Sequence, residues 1–124
     1  MSNTIWRVIT AAVVLGLVFP AHAHDPEPKH GGRIVHAGSY HIELVTKGTS
    51  IAAFLLAHDE KPLPSRGYQG VAILVVDGKS ERVPLAAADD NQLRGTSPLP
   101  VPDNPKGVVQ ITSPTGVTSQ AKFN

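Results

Sequence analysis

An all-β fold, an immunoglobulin-like sandwich of seven or eight mostly antiparallel strands, is what this sequence predicts, and three observations predict it. From residue 33 onward, short runs rich in Val, Ile, Leu and Ala are separated by Gly, Pro, Asp and Asn, with no 3.6-residue periodicity sustained beyond a turn. Turn signals recur about every 8 to 12 residues, the spacing of short sandwich strands. Two segments alternate cleanly between apolar and polar residues, as half-buried strands do. A closed barrel is the competing arrangement.

The first element is not part of the fold. Arg7 precedes an apolar run from Val8 to Phe19, and the small-residue pattern Ala21-His22-Ala23 follows it, so residues 1–23 read as a secretory signal peptide. The run is shorter than the roughly 20 apolar residues a bilayer span needs. The expected mature chain, His24 to Asn124, is therefore exported to the periplasm, and with no cysteine it has neither a disulfide nor a lipid-attachment site to serve as membrane anchor. Removing the signal leaves ten basic and ten acidic residues, a balance that offers nucleic acid no basic surface. About a hundred residues make one domain that buries roughly 60–65% of its unfolded surface.

Residues 24–32, HDPEPKHGG, read as a flexible histidine-containing leader, and residues 33–124 as the sandwich. The strands expected in order are RIVHA (33–37), YHIELVT (40–46), TSIAAFLLAH (49–58), GVAILVV (70–76), SERVPLAA (80–87), NQLRG (91–95), KGVVQIT (106–112) and VTSQAKF (117–123). Lys47-Gly48 and Asp77-Gly78 supply the positive φ of two-residue hairpins, and Ser113-Pro114-Thr115-Gly116 places a proline where φ is already near −65°. Prolines 98, 100, 102 and 105 cannot donate to a central ladder and mark an edge or a long crossing loop. Tyr40, Ile42 and Leu44 should face the core with His41 and Glu43 in water, while Val117, Ala121 and Phe123 oppose Thr118, Gln120 and Lys122. The continuous apolar runs IAAFLLA and GVAILVV suit central strands.

The histidines are distributed unevenly. All five of the mature chain, His24, His30, His36, His41 and His58, fall before residue 59. A two-residue turn at Gly38-Ser39 would pair Ala37 with Tyr40 and set His36 opposite His41, where Cβ atoms approach to about 4.5–5.5 Å. Two imidazoles there can share a metal ion. Glu43, two residues from His41 on the same face, can add an oxygen ligand or fix an imidazole tautomer as an outer acceptor. Gly31-Gly32 offers a hinge by which His30 or His24 can swing over the pair. His58 closes an apolar run before the Asp59-Glu60-Lys61-Pro62 turn, where it serves either as a ligand or as the end of the strand. Residues facing water, with no ligand role, are the plain alternative for all of them.

Cleavage after Ala23 would give His24 a free α-amine beside its imidazole, a nitrogen pair suited to Cu(II), although Pro26 lacks the N–H needed to wind further amide ligands around the ion. The mature chain has no Cys and no Met. Soft-ligand sites for Cu(I) or iron–sulfur clusters are thereby excluded, and imidazole with carboxylate suits Cu(II) or Zn(II), with Ni(II) or Co(II) also compatible.

The order HGG, YHIELV, a turn, an apolar strand, HDEKP and a closing QAKF resembles the YtkA-like periplasmic β-sandwich domains and the HGG-bearing N-terminal segments of heavy-metal efflux adaptor subunits. The resemblance spans His30 to Phe123. It implies an immunoglobulin-like fold and a periplasmic role in copper, zinc, cobalt or nickel handling, with His30 matching the HGG histidine and His58 the histidine before the turn. The chain has no long helical hairpin or lipoyl-like portion of an adaptor, which makes a free-standing accessory protein, acting beside a periplasmic efflux adaptor, the expectation.

Two functions therefore compete: a periplasmic divalent-metal buffer or carrier linked to resistance or efflux, with ligands among His24, His30, His36, His41, Glu43 and His58, and an envelope interaction module that docks through a sheet edge near residues 98–105 with no metal role. An enzyme is disfavoured because no nucleophile elbow or acid–base pair is legible.

Overall fold

The computed structural model describes residues 26–124, together with Gly16. The expected signal segment and His24 lie outside the main described span. Eight strands account for all the regular structure in it, namely β1 (Arg33–Ala37), β2 (Tyr40–Lys47), β3 (Ser50–Leu56), β4 (Gln69–Val76), β5 (Lys79–Ala87), β6 (Gln92–Thr96), β7 (Gly107–Thr112) and β8 (Thr118–Phe123). Each corresponds to one expected run, with ends displaced by no more than a few residues.

Every pairing is antiparallel, and the strands follow one another in the order β1-β2-β3-β6-β5-β4-β7-β8. The connection is that of an immunoglobulin sandwich. Strand β3 pairs with β6 and β4 with β7, the interlocked B–E and C–F pairs of that fold, and β8 extends the second layer beyond β7. Strand β5 runs along β4 for most of its length and joins β6 only through Ala86 and Ala87. That ladder stops short because Pro84 has no N–H to extend it, and Gly95 sits so close that a Cβ there would run into the Pro84 carbonyl oxygen. The sheet is thus continuous from β1 to β8 and wraps around one core. Its two end strands come together at a seam that Arg33 fastens: the guanidinium donates to the carbonyls of Asn124 (2.9 Å) and Pro105 and lies 5.4 Å from the centre of the Phe123 ring.

Alternate residues of all eight strands fill the interior, among them Ile42, Leu55, Leu74, Leu85, Leu93, Ile111 and Phe123. The turns largely match the expected chemistry. Asp77 and Gly78 both have positive φ (50° and 76°), as a type I′ hairpin requires. At the β2–β3 turn the centre moves by one residue: Lys47 pairs with Ser50, so the turn is Gly48-Thr49 and not Lys47-Gly48. Val117, expected on the core face, is 59% exposed, because its carbonyl is turned back to accept from the Ser113 N–H inside the β7–β8 turn.

The proline-rich stretch is a crossing loop, not an edge. The Ser97 N–H donates to the Thr49 carbonyl and the Val101 N–H to the Gly48 carbonyl, each at 2.8 Å, while the Thr46 hydroxyl donates to the Pro102 carbonyl at 2.7 Å. Val101 is buried in the core. No helix of the described residues is long and apolar enough to cross a membrane.

Leu93 is fully buried in β6, the strand that links the two layers. Leu93→Ala should cost about 2–5 kcal/mol of unfolding free energy, read as a lowered urea midpoint with an unchanged slope. An effect below about 1 kcal/mol would mean the core is looser than drawn.

Candidate functional site

Strand β2 does not have one dry face and one wet face. Its core residues Ile42 and Leu44 point inward as the alternation requires, yet the outward His41 and Glu43 are only 4% and 2% exposed. Residues 29–32 of the leader cover Glu43, whereas His41 is flanked by the His36 and His58 rings. The Lys29 N–H donates to Glu43 Oε1 at 3.2 Å, the His30 N–H to Oε2 at 2.9 Å and the Gly32 N–H to Oε2 at 2.9 Å, while His30 Nδ1 lies 2.9 Å from Oε1. A carboxylate has about four lone-pair positions. Here all four are filled by one short segment.

The same segment places an aromatic contact. The His30 ring lies flat on Phe54, with centroids 3.7 Å apart and planes within 5°. Phe54 is the β3 residue directly opposite Glu43, so the imidazole rests on the ring with one nitrogen turned to the carboxylate. Gly32 permits this approach, since a Cβ there would collide with the Leu44 carbonyl oxygen and the Val45 side chain. Phe54 under that ring is 7% exposed, and Leu56, the next outward residue of β3, is bridged to Pro62 of the following turn and is 8% exposed. The apolar run of β3 is thus continuous because both faces are covered. In β4 the outward face stays open, and Val75 is 42% exposed.

Burial alone pushes the Glu43 carboxyl up, but the hydrogen bonds from the His30 side chain, the Gly32 N–H and the His30 N–H, with the charge on His30, outweigh it and hold the group below its ordinary value. Because this carboxylate must accept, Nδ1 of His30 is the donor. In its neutral form the ring carries its lone pair on Nε2.

A second cluster stands beside the first on the same outward face. Gly38, with φ of 60°, turns the chain tightly enough that Ala37 pairs with Tyr40 and His36 with His41, as the spacing predicts. The two imidazoles lie 4.1 Å apart between centroids with planes inclined by 56°. His58 adds a third ring, nearly parallel to His41 at 6.3 Å. Its position comes from a turn folded back on the end of β3: the Ala57 N–H donates to the Lys61 carbonyl, the Glu60 N–H to the Ala57 carbonyl and the Leu63 N–H to the Leu55 carbonyl. Glu60 takes a left-handed φ of 69° to close it.

The Ala57 carbonyl lies 3.4 Å from His41 Nδ1, so this ring too is held with its N–H on Nδ1 and its lone pair on Nε2. His36 and His58 on either side are exposed. Among the described residues, no group of three or more His, Asp or Glu is placed to hold a metal ion. Every buried side-chain polar atom among them has a partner.

Of the residues singled out in the sequence, His36, His41 and His58 come together, and His30 and Glu43 bind each other. Glu43 acts as the acceptor that fixes an imidazole, and its lone pairs are occupied in place of an open oxygen ligand position. His24 lies outside the described residues. Two participants were not legible. Phe54 was read as strand core, and a turn centred on Lys47-Gly48 would have put Ala52, not Phe54, opposite Glu43. The Ala57 carbonyl carries no side-chain signal at all.

Glu43→Ala should free the leader and cost about 1.5–3 kcal/mol, the range for a hydrogen bond to a charged acceptor. A carboxyl whose folded pKa is lowered contributes stability that is present above its unfolded pKa of about 4.3 and is lost as pH falls through the lowered folded value. The difference in urea midpoint between wild type and Glu43→Ala should therefore be full at pH 7 and shrink below about pH 4; a difference independent of pH would show that the carboxylate charge is not what holds the leader. No protein-family model matches the chain, and no curated protein or solved structure matches it significantly.

Proposed function

We propose that this chain is an exported periplasmic accessory protein that binds a divalent transition metal, Cu(II) or Zn(II) in preference to Ni(II) or Co(II), as a buffer or carrier in heavy-metal resistance or efflux, and that it is not an enzyme. The observation that carries the reading is the row His36, His41 and His58, in which a buried imidazole lies between two exposed ones. A buried histidine that serves only packing has no need of two further imidazoles beside it. One whose Nδ1–H is taken by a backbone carbonyl, leaving Nε2 as the lone pair, is arranged as metal-bound histidines are.

In this reading His36 and His41 provide the first two ligands. His58, exposed on its turn, rotates in as the third, and water completes the coordination. Imidazole nitrogens with no thiolate or thioether nearby select the borderline divalent ions over Cu(I). Export by a cleaved signal, and an efflux adaptor as the partner that collects the ion, rest on the signal-like segment and on the HGG resemblance.

Calorimetry on the mature protein should give stoichiometric Cu(II) or Zn(II) binding at micromolar concentration. His41→Ala and His36→Ala should each weaken it at least tenfold, and affinity should fall as pH drops below roughly 6.5, where imidazoles take up protons in competition with the ion. Absence of binding at micromolar metal would remove the reading.

The competing function, an interaction module, finds its structural support away from the proline segment, which is tied down as a loop. Its support is the open outer face of β4 and β7, where Val75 is exposed and Val71, Ile73 and Val108 are half-buried. Capture of an envelope partner that survives replacement of all five mature histidines, but is lost in Val75→Lys, would favour it.

A further inference from the structure

We propose that the outer face of β5, β4, β7 and β8 docks an acidic amphipathic helix of a partner protein, which lays apolar residues on Val71, Ile73, Val75 and Val108 and carboxylates against Arg82, Lys106 and Lys122. The proposal is independent of the metal-binding reading, and it gives the interaction reading a partner of stated chemistry.

The register builds this face row by row. Ile73 of β4 lies opposite Arg82 on one side and Val108 on the other, and Val108 lies opposite Lys122. One row across the four strands is therefore cation, aliphatic, aliphatic, cation. Val71 and Val75, two residues either side of Ile73, extend the apolar centre along β4. Exposed Lys106 stands beside Val75, whose N–H donates to the Lys106 carbonyl at 2.8 Å. Toward the opposite end the face is satisfied internally: the Gln110 amide donates to Gln120 Oε1 at 3.3 Å, and the Thr112 and Thr118 hydroxyls are 3.0 Å apart. What remains open is the cationic end.

Charge decides the occupant. The outward positions of these four strands hold no Asp or Glu, because the one acid within them, Glu81, lies opposite Leu74 and so on the core side. The ion pairs among the described residues are His30 with Glu43 and Lys61 with Asp59. Arg82, Lys106 and Lys122 are in neither. Cations set around an apolar centre with no counter-charge are complementary to carboxylates set around an apolar stripe.

A second copy of the chain does not fit. In a two-fold interface the same patch meets itself, which would set these cations against one another. The patch is also only about 15 Å across the strands and about 20 Å along them, well under the roughly 800 Å² per partner of a stable interface. Those dimensions suit one helix of about 13 residues, at about 1.5 Å per residue, bound transiently. A membrane surface fits less well, because the face carries no Trp, Tyr or Phe to enter the interfacial layer, and Val71, Ile73 and Val108 are half-buried among their neighbours.

The test is a titration of isotope-labelled mature protein, followed by NMR amide shifts, with a synthetic helical peptide of about 14 residues that carries Leu at i, i+3, i+4 and i+7 flanked by Glu. Shifts should be confined to β4, β7 and the adjoining parts of β5 and β8. The same peptide with Lys in place of Glu should bind at least tenfold more weakly. Val75→Ser, and Arg82→Glu combined with Lys122→Glu, should each weaken binding of the Glu peptide at least tenfold, and a rise in salt from about 20 mM to about 300 mM should weaken it severalfold. These side chains are exposed, and the amide spectrum reports the fold of each variant; should one fail to fold, the two peptides on the wild type decide the matter. Equal affinity for both peptides, shifts spread over other faces, or no binding at millimolar peptide would overturn the proposal. So would dimerisation through this face in sedimentation equilibrium, or tighter binding to phosphatidylglycerol vesicles than to the Glu peptide.

Discussion

A carboxylate removed from water must be met by donors, and the outer face of β2 is arranged around that requirement at Glu43. The effective penalty for burying an ion is several kcal/mol, and each hydrogen bond to a charged acceptor is worth about 1.5–3 kcal/mol. One or two bonds would leave the group marginal. Four make the buried anion stable, and they come from a segment with no regular structure of its own. The leader is ordered because Glu43 needs it, and Glu43 stays ionised because the leader is there. Remove either and the other has no reason to hold its place, while Phe54 loses the imidazole that covers its ring.

The second constraint is register. Side chains alternate with a period of two, so one two-residue turn at Gly38-Ser39 decides that His36 meets His41 on the outward face. The next turn decides the rest. With Gly48-Thr49 at its centre, Glu43 falls opposite Phe54 and His41 opposite Leu56, which gives the His30 ring an aromatic surface to lie on. Two tight turns thereby set His36, His41, Glu43 and Phe54 on one outward face of three strands, and the leader's hydrogen bonds to Glu43 add His30 to them.

Much of this was legible in the sequence, and the reasons are physical. Strand runs bounded by Gly, Pro and Asp carry a local signal, and all eight appear. The His36–His41 pair was legible because a two-residue hairpin leaves no freedom in register. Alternation could not reveal the state of His41 and Glu43, since it reports which face a residue occupies and not whether something later covers that face. HDPEPKHGG has the composition of solvated chain. Its docking is written in backbone N–H groups, which every residue except proline possesses, and so leaves little compositional trace. The turn at 48–49 was displaced by one residue because Lys47-Gly48 and Gly48-Thr49 both contain the glycine that a hairpin needs.

The two clusters have a common logic that bears on how an ion would be received. In each, an imidazole is fixed through Nδ1, by the Glu43 carboxylate for His30 and by the Ala57 carbonyl for His41. The difference in acceptor matters. A carbonyl is a neutral dipole that sets the tautomer, whereas a carboxylate also supplies a full charge that grows in value as the ring becomes more positive. His41 is therefore a fixed, preformed donor and His30 a responsive one. In the proposed metal-binding reading, the exposed His36 and His58 would meet an ion first, and His41 would be the ring whose tautomer is already set.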